Sequence, residues 1–351
     1  MGVWIELLTK MITKPKLIMK ENYPIDFVVT WIDGNDLEWQ AEYKKYYKEE
    51  KGVDASISRT REWDNLQYWF RSVEKYAPWV NKIHLVTWGH LPKWLNKNAE
   101  KLNIVKHTDF IPAEYLPTFS TFPNALNTFR IKGLAEHFVQ FDDDMFMGKP
   151  VNRTRFFKKG KPVDFAQLTP IAPLLPFGHY ILNSISLMHK RHNFKAAIKS
   201  NFGKWFNTKY GMSAILKNLL LLPFANNVGI KNPHVTISLL KSTYEKLWKE
   251  EFETLDNACK NRFRSYTDLM QWIMRYEQLL SGNFVPHTIK DTHTDLITDQ
   301  CAEEIADYIV KQKYALFCIN DSSDIVDFEK TKNIINQAFE KILPEKSSFE
   351  L

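Results

Sequence analysis

Four short apolar runs, separated by polar or helix-like stretches, limit what this chain can fold into more than any other feature. They are DFVVTW (26–31), KIHLVTW (82–88), LNIVKH (102–107) and HFVQF (137–141). Each is rich in β-branched or aromatic residues, bounded by polar ones, and of a length that suits a buried strand. Between the first two, Leu66, Trp69, Phe70, Val73 and Tyr76 recur at helical spacing, and Pro78 closes the pattern. Strands that alternate with helices pair through crossovers, which predicts an α/β fold around a doubly wound, mostly parallel sheet.

Ligands of such sheets bind beyond the carboxyl ends of the strands, and both acidic bursts of the first half fall there. Trp31-Ile32-Asp33-Gly34-Asn35-Asp36 follows the first run, and Asp142-Asp143-Asp144 follows the fourth. The Asp-Gly pair alone would also suit a hairpin turn. Three adjacent carboxylates raise one another's pKa, so they need a cation or strong donors to stay ionised together. A hard divalent metal, Mg²⁺ or Mn²⁺, resolves that conflict and can also neutralise a diphosphate; the bland alternative is a solvated acidic turn.

Several other residues carry both a functional and a structural reading. The run YALFCI (314–319) leads into Asn320 and Asp321, repeating the strand-then-acid pattern. His234 sits beside a proline, ahead of an expected amphipathic helix; Arg262 and Arg264 precede a helix expected to start near Ser265 or Thr267, where free backbone N–H groups and arginines suit phosphate. Arg61 and Asp64 lie before the first long helix, with capping and salt bridging as the alternative for Asp64. Arg130 is a further candidate phosphate contact.

At 351 residues, 44% of them hydrophobic and 14% aromatic, the chain has ample material for one large domain with insertions or for two domains. The expected divisions are a basic amphipathic segment (1–24), an α/β core (25–189), a largely helical subdomain (190–310) and a C-terminal strand and helix that complete the core (311–351). A net charge of +6 favours anionic partners, yet the basic residues show no nucleic-acid-binding signature. Three cysteines, an odd number without metal-ligand spacing, read as reduced and cytosolic. No run approaches the ~18 apolar residues of a transmembrane helix. Residues 1–20, with Lys10, Lys14, Lys16 and Lys20 among apolar residues, suit peripheral contact with the inner face of a membrane.

Together the blocks IDFVVTWIDGNDLEW, RTREWDNLQYWFRSVEKYAPWVNKIHLVTW through HFVQFDDDMF, NPHVTISLLKSTYEKLW with RFRSYTDLMQW, and CINDSSD resemble the Stealth family of sugar-phosphate transferases. That resemblance implies a GT-A-like fold and an attack by an acceptor hydroxyl on the β-phosphorus of a UDP-sugar. UMP then leaves, and a hexose 1-phosphate is joined to an oligosaccharide or lipid-linked saccharide as a phosphodiester. It further implies Trp31, Asp33, Gly34 and Asp36 on the nucleotide side, where Arg61 and Asp64, read from their place near the acidic loop, would also serve nucleotide-sugar binding. Metal would sit on Asp144 and Asp321 with Asp142, Asp143 and Asn320 near, Arg264 and Arg130 on the phosphates, and His234 as general base, with Asp33 or Asp143 as rival.

The chain departs from the family pattern in two places. It has Asp142 where relatives commonly have Asn, and Phe122, Ala125 and Phe129 stand near positions usually held by histidine, glutamate and histidine. Two other functions stay open on the residues alone: a metal-dependent glycosyltransferase that releases UDP, and a non-catalytic carbohydrate- or nucleotide-binding protein.

Overall fold

The computed structural model describes residues 23–47, 61–172 and 176–351, so the expected N-terminal amphipathic segment lies almost wholly outside the described residues. In chain order the strands that position the site are β1 (Ile25–Thr30), β2 (Ile83–Thr87), β3 (Leu102–Lys106), β4 (His137–Asp142), β5 (Met145–Met147), β6 (Ile237–Leu240), β7 (Thr292–Leu296) and β8 (Leu316–Asn320). The helices that bear on the site and its surroundings include α1 (Leu37–Tyr47), α2 (Leu66–Tyr76), α3 (Thr121–Asn127), α4 (Met212–Leu221), α5 (Lys241–Glu250), α6 (Trp272–Leu280) and α7 (Phe328–Ile342). Beta strands 1 to 4 are the four runs read from the sequence, and they run parallel in the order β6-β4-β1-β2-β3, with β6 antiparallel at the edge. The molecule is α/β with a mostly parallel central sheet.

The period-two alternation of β1 explains why helices cover both faces. Phe27 and Val29 join one core with Trp69, Phe70 and Val73 of α2 and Phe339 of α7. Val28, between them, joins the other core with Tyr244 and Leu247 of α5 and Ile273 and Tyr276 of α6. Helices between residues 194 and 280 pack on this second face, whereas the helix Ala302–Val310 packs in the first core. Residues 190–310 also supply four strands: β6, which extends the central sheet, β7, which pairs with β8, and two of two residues each, Gly229–Ile230 and Val285–Pro286.

A second sheet, β7-β8-β5, carries the C-terminal part of the chain to the acidic loop. Cys318 of β8 is paired with Met145 of β5, and the Ile319 amide donates to the Asp144 carbonyl at 2.9 Å. That antiparallel register sets the end of β8 against the end of β4. All three cysteines are free thiols. Among the described residues no helix is long and apolar enough to cross a membrane.

Candidate active site

From β1 the chain proceeds to β2 and β3 on one side, while β4 lies on the other, so the crevice between β1 and β4 is a topological switch point. Thr30 and Asp142 are register partners, and the two acidic loops therefore start side by side. A cleft of about 360 Å³ opens at this place, a size common for small-molecule sites. Trp31, Arg61, Asp142, Asp143, Asp144, His234, Arg264, Asn320 and Asp321 all line it, so nine expected residues from six stretches of the chain converge.

The three adjacent carboxylates Asp142, Asp143 and Asp144 raise one another instead of being neutralised. Burial, then the charge of Asp144, pushes the Asp142 carboxyl up to about 6, with His234 opposing. Burial, then Asp144, Asp142 and Glu62, raises Asp143 well above the ordinary range, although its side chain opens to the water of the cleft. Asp144 is raised by burial against the opposing pull of His234 and the Cys318 thiol. Its Oδ1 is buried without a hydrogen-bond partner.

Asp144, His234 and Cys318 each offer a ligand atom, and the three atoms lie within 4.8 Å of one another. Cys318 is fully buried, and burial followed by the charge of Asp144 holds its thiol well above the usual value. A protonated thiol is a poor partner for a hard cation, whereas adjacent carboxylates with an orphaned oxygen suit one. Asp144 and Asp142, with His234 alongside, therefore fit Mg²⁺ or Mn²⁺.

Several expected residues have protein partners of their own in this structure. Both oxygens of Asp321 are taken by the Arg61 guanidinium, through Nε at 3.0 Å and Nη2 at 2.5 Å, and Trp63 Nε1 adds a third donor at 3.1 Å. Asp321 is thus held by Arg61 and Trp63, and Arg61 is paired with it. Asp36 caps α1, accepting from the Trp39 amide at 2.8 Å; Asp33 Oδ1 accepts from the Asn35 amide at 2.8 Å, and the Gly34 carbonyl accepts from Gln40 at 2.7 Å. These three shape the loop outside the lining of the cleft. Asp64 pairs with Lys332 at 3.0 Å on the surface, the salt-bridging alternative.

Arg130 also lies away from the cleft. Its guanidinium covers the rings of Phe129 and Trp248, and its Nε donates to Asn127 at 2.9 Å. Arg264 does line the cleft, but no helix begins at Ser265 or Thr267; the chain turns there, with the Ser265 amide donating to Asp268 at 2.8 Å, and α6 starts at Trp272. Arg264 rests over the Phe122 ring, 5.0 Å from its centre. Of Phe122, Ala125 and Phe129, Phe122 lines the cleft. His234 adopts a positive φ of 49° and precedes a strand, β6, rather than a helix.

Glu62 escaped the sequence reading. It accepts from Trp31 Nε1 and from the Asp64 amide, each at 2.9 Å, and burial pushes its carboxyl up to about 7 despite both donors. A strand-end tryptophan facing an arginine-rich loop was the available signal, but only the fold places Glu62 under Trp31.

Residues 23–49 match Stealth protein CR1, conserved region 1, and residues 59–164 match Stealth protein CR2, conserved region 2. The capsular polysaccharide phosphotransferase WcwK of Streptococcus pneumoniae is 39% identical over 339 residues, spanning 95% of this chain and 99% of that protein. The chain belongs to the Stealth family. Other Stealth relatives include the receptor polysaccharide phosphotransferase WefC of Streptococcus gordonii, 37% identical over 93% of this chain and 99% of its own length. The exopolysaccharide phosphotransferase cps2G of Lactiplantibacillus plantarum is 34% identical over 93% and 96%. Solved chains of the galactosyltransferase LgtC overlay 89% of this chain and 95% of their own at 10% identity, with a TM-score of 0.36, too low to support an argument. Within this Stealth chain, the two matched regions contain Trp31, Glu62 and the Asp142–Asp144 run, while His234, Arg264 and Asp321 lie beyond them.

Proposed function

We propose that this Stealth protein moves a sugar 1-phosphate from a UDP-sugar to a hydroxyl of a growing surface polysaccharide, forming a phosphodiester and releasing UMP. The observation that carries this reading is a strand-end cleft in which partner-poor carboxylates, Arg264 and His234 face one another. The names of the capsular, receptor and exopolysaccharide relatives support a polysaccharide acceptor.

In the proposed reaction the acceptor oxygen bonds to the β-phosphorus, the bond from that phosphorus to the bridging oxygen breaks, and UMP departs. Catalysis of such a transfer is mostly positioning and charge stabilisation. Arg264 holds a phosphate oxygen from the Phe122 side, and Trp31 with Glu62 forms the wall toward the nucleotide. A bound Mg²⁺ or Mn²⁺ on Asp144 and Asp142 would neutralise diphosphate oxygens. His234 takes the proton of the acceptor hydroxyl. Its side chain also lines a second opening of about 560 Å³, together with Ile171, Ile181, Asn232, Trp272 and Leu296. An acceptor sugar can enter there, with the donor on the acidic side of the imidazole.

The nucleotide product tests the reaction. Incubation with a panel of UDP-sugars, acceptor oligosaccharides and Mg²⁺ or Mn²⁺ is expected to yield UMP and a phosphodiester seen by phosphorus NMR. Release of UDP instead would replace phosphate transfer with glycosyl transfer. His234→Ala is expected to keep UDP-sugar binding and lose turnover; undiminished turnover would remove His234 from its role.

A further inference from the structure

Helix α4 and the turn after it, Leu222–Asn227, carry their apolar side chains on the wrong side for a soluble surface helix. Met212 is 77% exposed, Leu216 53%, Leu219 49%, Leu220 64% and Phe224 63%. Intervals of three and four residues put them on one helical face. The opposite face is fixed through a buried asparagine: Asn218 accepts from the Leu168 amide at 2.7 Å and donates to the carbonyls of Ala166 at 3.0 Å and Trp205 at 2.7 Å. The helix is thus pinned inward by a polar residue while its leucines and Phe224 face outward. A contiguous apolar patch of this kind marks an interaction surface.

Charge identifies what covers it. From residue 165 to residue 244 the sequence contains no aspartate or glutamate, and it carries eight lysines and one arginine. The whole chain has a net charge of only +6, so the rest is net acidic. Three of these cations, and Lys290 from beyond the stretch, lie beside the apolar stripe. Lys217 is exposed between Leu216 and Leu219. The Lys195 amide donates to Asn226 at 3.1 Å, which sets the helix Phe194–Ser200, with exposed Lys195 and Lys199, against the turn. Lys290 Cε lies 3.8 Å from where a Gly211 Cβ would stand, at the start of α4.

Aliphatic and aromatic side chains ringed by lysines, in a stretch free of acids, match the layered chemistry of an anionic bilayer, with acyl chains beneath lipid phosphates. We propose that this face docks the protein on an anionic lipid surface, with Leu216, Leu219, Leu220 and Phe224 entering the acyl boundary and Lys195, Lys199, Lys217 and Lys290 meeting the phosphates. The surface is separate from residues 1–20, and the docking does not depend on which group the enzyme transfers.

Co-sedimentation of the full chain with phosphatidylcholine vesicles, with and without phosphatidylglycerol, tests this. The wild-type protein is expected to bind the anionic vesicles and to be released by salt. The variant Leu216→Ser/Leu219→Ser/Leu220→Ser/Phe224→Ser is expected to bind them at least about tenfold more weakly. Lys195→Gln/Lys199→Gln/Lys217→Gln is expected to weaken binding to anionic vesicles severalfold. Leu37→Ser/Val326→Ser, which changes residues 80% and 93% exposed elsewhere, is the control and should bind as wild type. Unchanged melting curves and unchanged turnover of a soluble acceptor establish that the face variants fold. Wild-type protein that ignores anionic vesicles, or an apolar-face variant that binds them normally, overturns the proposal. So does a face variant that merely splits a wild-type dimer in sedimentation velocity without vesicles.

Discussion

Glu277 and Asp144 are both carboxylates set deep in this chain, and their surroundings treat them in opposite ways. The Glu277 side chain is 3% exposed and is met by His192 at 2.7 Å, Lys246 at 2.7 Å and Arg191 at 3.2 Å. Burial pushes its carboxyl up, but the donors from His192, Lys246 and Arg191 outweigh burial and hold it far below the usual range. Asp144 has two acidic neighbours in sequence, an orphaned oxygen and a raised pKa. The first arrangement serves the fold. The second stores unfavourable charge that a cation and a diphosphate can relieve, which is the mark of a site built for a ligand.

The sharpest way to break this contrast is to remove each carboxylate charge. Asp144→Asn is expected to lower UMP release by about 100-fold or more while leaving the melting temperature of metal-free protein unchanged or higher. A variant that turns over at nearly the wild-type rate would end the metal-holding role. Glu277→Gln should do the reverse, costing about 3 kcal/mol in denaturant unfolding because the buried charge shared by Lys246, Arg191 and His192 is lost, with turnover retained where the variant is still folded.

The acid side of the stability curve sharpens the comparison further. The folded pKa of Glu277 is depressed, so its contribution is present above the ordinary glutamate value and is lost as pH falls through the folded value. Glu277→Gln should therefore lie closest to wild type in acid. Asp142 has a folded value raised to about 6, so its contribution is present below the ordinary aspartate value and is lost as pH rises through about 6. Metal-free Asp142→Asn should accordingly be more stable than wild type at pH 8 by about 1 kcal/mol, allowing for water in the cleft, and equal to it near pH 3. Chemical denaturation at both pH values reads this directly. The smallest effect is expected from Glu62→Gln, a few-fold fall in turnover with loss of any rate inflection near pH 7; an inflection that survives belongs to another group.

The parallel strands were legible because each is short, β-branched or aromatic, and flanked by polar residues, and the acidic loops because they follow those strands. What stayed hidden was pairing across long separations. Arg61 and Asp321 stand 260 residues apart, and nothing in either segment says that one neutralises the other. The Cys318 thiol meets Asp144 only because β8 runs antiparallel to β5. Arg130 read as a phosphate contact until Trp248, far along the chain, supplied an aromatic face for it. The strand Ile237–Leu240 was absorbed into the helix that follows it because its four residues are too few to show a period of their own.

The antiparallel joining of β8 to β5 also sets a schedule. A ribosome-bound chain that has emerged only to residue 310 already contains both matched Stealth regions and the whole aspartate run, yet it lacks the strand that brings Asp321 to Arg61. Until that strand is threaded into place, Arg61 has no anchor and one wall of the cleft is missing, so nascent protein should be inert as a phosphotransferase until synthesis has passed residue 321 and the strand has folded in.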